Sequence, residues 1–147
     1  ELQRQGLFPV GRLDKDTEGL LLLTNEGGLA HDLLSPRHHV DKVYYARTAG
    51  TLTEADRRAF AEGMELGGLL CLPAELEILS AGPESEALVT LREGKFHQVK
   101  RMTASRGAHV TYLKRLTMGP LALDPSLTPG MYRLLTGEEV AKIRENI

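Results

Sequence analysis

The segment Gly11-Arg12-Leu13-Asp14-Lys15-Asp16-Thr17-Glu18-Gly19 runs directly into Leu20-Leu21-Leu22-Leu23-Thr24, and this junction constrains the chain more than any other stretch. Four leucines closed by Asn25-Glu26-Gly27-Gly28 predict a strand at 20–24 buried on both faces. An Arg, two Asp and a Glu therefore arrive at the mouth of a buried strand, where charge is costly unless paired or at work. In extended geometry Arg12 and Asp14 share a face, as do Asp14, Asp16 and Glu18. Gly11 and Gly19 bracket the segment, which suits a backbone that turns tightly or approaches a neighbour closely. A carboxylate placed there can attack an anomeric carbon or assist departure of a base from it. Residue chemistry alone leaves Asp14, Asp16 and Glu18 in competition for that role. The plain alternative is a polar loop entering a core strand.

Gly11-Arg12-Leu13-Asp14, with Thr17, Gly19 and the leucine run, resembles the central motif of the RsuA-type rRNA pseudouridine synthases. Two further blocks agree in order: Lys42-Val43-Tyr44, and Glu93-Gly94-Lys95-Phe96-His97-Gln98-Val99-Lys100-Arg101-Met102. The resemblance implies an α+β fold, a mixed and mainly antiparallel sheet with helices packed on it and an active-site cleft crossing the sheet. It implies isomerisation of a uridine to pseudouridine in ribosomal RNA. The bond from uracil nitrogen to ribose C1′ breaks, the base turns, and its C5 joins the same C1′. No redox step occurs and no group is transferred, so no cofactor or metal is needed. The block from Pro9 to Thr24 and the Lys114-Arg115-Leu116 segment look closest to the branch acting on 16S rRNA; enzymes acting on 23S rRNA share the motifs.

The resemblance also assigns roles. Asp14 is the catalytic aspartate, with Asp16 and Glu18 orienting the loop and Thr17 capping backbone amides. Arg12 stacks or inserts where the target uridine leaves the RNA stack; otherwise it makes a surface ion pair. Tyr44 stacks on the uracil with its hydroxyl near the sugar; otherwise it is an aromatic on a half-buried strand. Lys100 pairs with Asp14. Arg101 points about 100° away on a helix and becomes a phosphate contact. Lys42 and Lys114 are expected to flank the cleft along the RNA backbone. His97 and Gln98 are expected to bond within the site or to RNA. Leu113 lies against the target base, or is simply a core strand leucine.

The chain has 147 residues, one cysteine and a net charge of −2. Its length suits one domain, residues 1–147, expected to be a catalytic domain lacking its first strand and an N-terminal RNA-binding domain of the S4 type. A lone cysteine, Cys71, fits a reducing compartment and a cytoplasmic location. No apolar run is long enough to span a membrane, and no signal peptide is visible. The partner expected is ribosomal RNA, bound by a monomer without small-molecule cofactor. Slight negative charge opposes nucleic-acid binding, so the cations must be segregated. Arg37, His38, His39 and Lys42 form one basic group; Lys95, His97, Lys100, Arg101, Arg106, Lys114 and Arg115 form another. Adjacent histidines on a strand point apart, which argues against a zinc site at His38-His39.

Further elements follow from periodicity and breakers. Helices are predicted over 28–34, from Thr53-Glu54-Ala55-Asp56 to about Glu62, over 96–105 with Val99, Met102 and Thr103 inward, and from Thr136 onward carrying Val140 and Ile143. Strands are predicted at 40–48, 74–79, 87–92, 108–117, 120–123 and 132–135, with Val110 and Tyr112 on one face. Residues 64–73 are poorly determined. Two other function classes remain: a glycoside hydrolase using Asp14 with Asp16 or Glu18, which needs carboxylates about 5–9.5 Å apart, and an RNA-binding module without chemistry.

Overall fold

The computed structural model describes residues 6–34, 40–95 and 97–145. The chain opens with three two-residue strands, β1 (Phe8–Pro9), β2 (Glu18–Gly19) and β3 (Leu23–Thr24), then helix α1 (Gly27–Leu34). The strand expected at 20–24 is therefore interrupted. Glu18 and Gly19 pair with one strand, Leu23 and Thr24 pair with β1, and Leu20–Leu22 bridge them. Leu22 is buried and Leu21 is exposed, so the leucine run is not covered on both sides.

Strand β4 (Lys42–Ala49) leads to helix α2 (Glu54–Glu62). Asp56 starts that helix by accepting the Thr53 amide hydrogen at 2.8 Å, and its carboxylate suits the positive helix end. Gly63 ends it with φ of 87°. Residues left undetermined by the sequence form a small hairpin, β5 (Met64–Leu66) and β6 (Leu69–Cys71), turning through Gly67 and Gly68. Next come the hairpin β7 (Glu75–Ser80) and β8 (Glu84–Leu91), helix α3 (Gln98–Ser105), strand β9 (His109–Met118), strand β10 (Leu121–Ala122) and helix α4 (Gly137–Glu145).

The main sheet has the order β10-β9-β4-β8-β7, all antiparallel, with β2 added parallel to β9. It is the mixed, mainly antiparallel sheet expected, with β4 in the middle. Residues 132–135 form no strand. They have no ladder partner among the described residues, and Arg133 instead ties the segment to Asp124 and Glu139. The alternation expected along β9 is broken by a bulge. Arg47 pairs with Tyr112 but Thr48 pairs with Val110, so Thr111 is the extra residue. Val110 consequently packs on the same core as Leu113, while Tyr112 meets Tyr45 edge to face on the other side.

Among the described residues two separate apolar cores form. One joins Ala46, Leu76, Ala87, Val89, Leu91 and Leu113 of the sheet to Phe60 of α2 and Val99 and Met102 of α3. The other gathers Val10, Leu22, Ala30, Leu33, Val40, Met118, Leu121 and Ile143. Along β4 the inward series runs from Val40 of the second core through Lys42 and Tyr44 to Ala46 of the first. Along β9 it runs from Met118 through Arg115 to Leu113. Lys42, Tyr44 and Arg115 thus make a polar seam between the cores.

Candidate active site

The seam is bridged by the segment that opens the sequence. Val10 anchors one end of it in the second core, and Gly19 pairs with Arg115 of β9 at the other. Between them the chain turns, with Gly11 at φ of 76° and the Thr17 amide donating to the Asp14 carbonyl at 2.9 Å. Asp14 and Asp16 are thereby folded toward α3. From the first core, α3 sends Lys100 outward while Val99, Met102 and Thr103 stay buried. Lys100 Nζ lies 3.4 Å from Asp14 Oδ2 and is in close contact with Asp16 Oδ1. One ammonium serves two carboxylates, of which Asp14 is 26% exposed and Asp16 77%.

His97 completes the group. It precedes α3 in the left-handed region, φ 51°, which is uncommon for a residue other than glycine. This places its Nε2 3.6 Å from Asp14 Oδ1. The electrostatics follow from these contacts. Partial burial pulls the Lys100 amine down, but pairing with Asp16 and Asp14 outweighs it, and the net shift is upward. Pairing with Lys100 holds the Asp16 carboxyl below the usual range.

Tyr44 sits half-buried on the seam, packed against the first core beside Leu113, and its register partner on β9 is Arg115. Leu113 is a fully enclosed core residue at the foot of the seam. Arg12 and Arg101 are exposed, as a rim position and a phosphate contact require.

Four expectations need correction. Lys42 is 4% exposed, because its register on the central strand turns it inward between Leu91 and Met118; it does not flank a cleft as a phosphate contact. Burial and the neighbouring Arg115 push its amine below the ordinary lysine value, against Glu93 and Asp41. Gln98 is also buried. Its Nε2 donates to Glu93 Oε2 at 2.8 Å and its Oε1 accepts the Lys95 amide, so it braces the turn before α3 rather than facing substrate. Lys114 alternates away from Leu113 and shares the opposite sheet face with Tyr45 and Tyr112. Thr17 Oγ1 caps no amide; it is buried without a hydrogen-bond partner among the described residues.

The orienting acids behave differently from each other. Asp16 holds Lys100, whereas Glu18 accepts the Tyr112 hydroxyl at 2.9 Å on the far side of the sheet. Arg106, counted with the basic group, pairs at 2.7 Å with Asp56 of α2. Arg37, His38 and His39 lie outside the described residues. Two participants were not visible as such in the sequence. Glu93 accepts from Leu72 and Gln98 and pairs with Lys95 at 3.2 Å, which fixes the entry to α3. Arg115, which the sequence places in the basic group and in the Lys114-Arg115-Leu116 segment, is buried. The Gly-Lys-x-His-Gln spacing carried the first signal; nothing local carried the second.

Comparison with known proteins gives a consistent result. The family described as RNA pseudouridylate synthase matches residues 1–105. An uncharacterized RNA pseudouridine synthase of Bacillus subtilis is 48% identical over 140 residues, covering 94% of this chain and 59% of that protein. Ribosomal small subunit pseudouridine synthase A of Vibrio cholerae is 46% identical over 145 residues, covering 97% and 62%. A crystal structure of a pseudouridylate synthase superposes with a TM-score of 0.89 at 42% identity, over 96% of this chain and 61% of the other. The chain thus spans about 60% of the length of these relatives.

Proposed function

This chain belongs to the RNA pseudouridylate synthase family, and on that premise we propose that it is the catalytic part of an enzyme that converts a uridine of 16S ribosomal RNA to pseudouridine. The observation that carries the proposal is the Asp14 carboxylate, partly exposed and held by Lys100 at 3.4 Å and His97 at 3.6 Å. An ionised carboxylate is what attack at C1′, or support of a departing base, requires. Lys100 sets a positive charge beside that carboxylate and fixes its direction.

The reaction needs the nucleotide extruded from its stack, at a cost of a few kcal/mol. Exposed Arg12 fills the place the base leaves. Tyr44 supplies a ring face to the extruded uracil above Leu113. After C5 joins C1′, the C5 proton leaves and the ring nitrogen gains one, so atoms and electrons balance within the base. Nothing in this sequence of steps calls for a metal or cofactor. We place the enzyme in the cytoplasm, as a monomer on free or assembling rRNA. The 16S choice follows the similarity to small subunit pseudouridine synthase A; a 23S target is the second reading.

The test is pseudouridine mapping in rRNA from cells lacking the intact protein, restored with wild type or Asp14→Asn. One 16S position should lose its pseudouridine, regain it with wild type, and stay unmodified with Asp14→Asn. An unchanged rRNA map would overturn the proposal, and a lost 23S position would replace the substrate.

A further inference from the structure

We infer that Arg115 is the positioning residue that fixes the Asp14 loop against the sheet, an inference that rests on the function proposed above. Arg115 is 2% exposed and holds the loop's exit in more than one way. Its Nε donates to the Leu20 carbonyl at 2.8 Å, and its own carbonyl accepts the Leu20 amide at 2.8 Å. Between these contacts Gly19, at φ of 115°, passes so close that a Cβ would lie 2.2 Å from the Arg115 carbonyl oxygen. Among the described residues no other side chain of β9 hydrogen-bonds to the backbone of this loop; Tyr112 reaches the loop at the exposed Glu18 carboxylate.

The way Arg115 is buried argues that it is kept for this geometry. Lys42 lies beside it on the same face, and the two cations oppose each other. Glu93, a buried carboxylate that acts on Lys42, is engaged by Lys95, Gln98 and the Leu72 amide. Arg115 Nη2 is buried with no hydrogen-bond partner; among the described residues only Thr17 Oγ1, in the same loop, shares that condition. An incompletely paired buried charge is a poor way to stabilise a core, and an apolar side chain of similar volume does it better. What an apolar side chain lacks is a donor that reaches the Leu20 carbonyl. The other side-chain ties of the loop end on carboxylates, the exposed Asp16 and Glu18 and the partly exposed Asp14 held by Lys100 and His97, and none of them holds the loop's backbone. A loop free to shift by about 1 Å loses roughly a hundredfold in rate.

The test uses the intact protein with Arg115→Met and Arg115→Lys, reading turnover on rRNA and amide hydrogen exchange. Arg115→Met should lower kcat about a hundredfold with KM within about threefold. It should speed exchange in residues 12–20 while α2 and β7 keep wild-type protection. Arg115→Lys, which can still donate to Leu20, should recover at least about a tenth of wild-type kcat. Unchanged loop exchange, exchange raised equally across the sheet, or a loss confined to KM would overturn the inference. If Arg115→Met does not fold, Arg115→Leu, which also lacks the donor to the Leu20 carbonyl, carries the same readouts. Wild type inactive on rRNA but with the loop response intact would strike the proposed function and leave Arg115 as the loop's anchor. An active wild type with an unresponsive loop would strike this inference alone.

Discussion

Lys100 Nζ stands 3.4 Å from Asp14 Oδ2 while contacting Asp16 Oδ1 more closely, so a single cation from α3 organises both carboxylates of a distant loop. Removing it takes away the cation that both carboxylates share and leaves Asp14 to His97. Lys100→Met should therefore cost about 10²–10³-fold in kcat, the usual loss when a preorganised charge is removed from a site. Lys100→Arg should retain more. The pH dependence follows from the same pairing. Because the Lys100 amine is raised by Asp16 and Asp14 despite burial, its contribution is complete below the ordinary lysine value and fades only as pH climbs through the higher folded value. Wild type should show no loss from this group through neutral and mildly alkaline pH; a pH–rate profile checks it.

Gly19 offers a steric prediction. Gly19→Ala places a Cβ 2.2 Å from the Arg115 carbonyl oxygen at a φ of 115°. Either defect alone strains the backbone by about 1–3 kcal/mol. The variant should lose at least about 2 kcal/mol in denaturant unfolding and most of its turnover. Gly27→Ala, at the start of α1 with nothing within 4 Å, should be neutral or slightly stabilising, by up to about 1 kcal/mol.

Why Gly19 was legible as a close approach and Arg115 was not bears on sequence reading in general. Gly11 and Gly19 announce themselves because only glycine is comfortable at positive φ. Helix α2 was legible from Thr53 and Asp56, and the inward face of α3 from the spacing of Val99, Met102 and Thr103. The run Leu20–Leu23 misled because identical apolar residues carry no sign of where backbone pairing changes partner. Lys42 and Arg115 misled because their burial depends on register across β4 and β9. The Thr111 bulge and the register shift between Val43 and Tyr44 set that register, and neither leaves a local mark. Residues 132–135 alternate like a strand, but a strand also needs a partner, which no composition supplies. The motif blocks singled out Asp14 and Lys100, far apart in the chain, and the structure brings them to 3.4 Å of each other.

Arg101 is the exposed cation next to Lys100 and is turned away from Asp14 on α3. If it contacts a phosphate, Arg101→Gln should weaken rRNA binding equally for matched and unmatched sequences. It should also reduce the slope of log K against log salt by about 1. Titrations at several salt concentrations measure both. Lys114→Gln, on the opposite sheet face, should leave that slope unchanged within error.

The start of α4 should be acid-labile. Glu139 accepts from Arg133 through both oxygens, at 2.8 and 2.9 Å, and from the Thr136 amide at 2.9 Å. Arg133 foremost, then the Thr136 amide, hold the Glu139 carboxyl at about 2, against 4.5 ordinarily. A depressed carboxylate stabilises above its unfolded value, and that stability is lost as pH falls through the folded one. The 124–139 segment should thus loosen as pH drops from about 4.5 toward 2. Glu139→Gln should remove this acid sensitivity, as read by exchange of the α4 amides.

Asp16 decides between the carboxylates that compete in the loop. Its contact with Lys100 is closer than that of Asp14, which on distance alone makes it the better-paired acid. Its exposure, 77% against 26% for Asp14, points the other way. An exposed pair is screened by water and contributes little, while a reacting group must be shielded enough for its charge to act. Asp16→Asn should therefore leave Lys100 wholly to Asp14 and change kcat by less than about tenfold. Asp14→Asn should abolish turnover while the fold and rRNA affinity stay near wild type. The same comparison separates the isomerase from a two-carboxylate glycosidase, in which both changes are severe because each acid has its own step. Single-turnover assays of the two variants, with circular dichroism to confirm folding, give the answer. Equal loss in both variants, or turnover surviving Asp14→Asn, would move the reacting carboxylate away from Asp14.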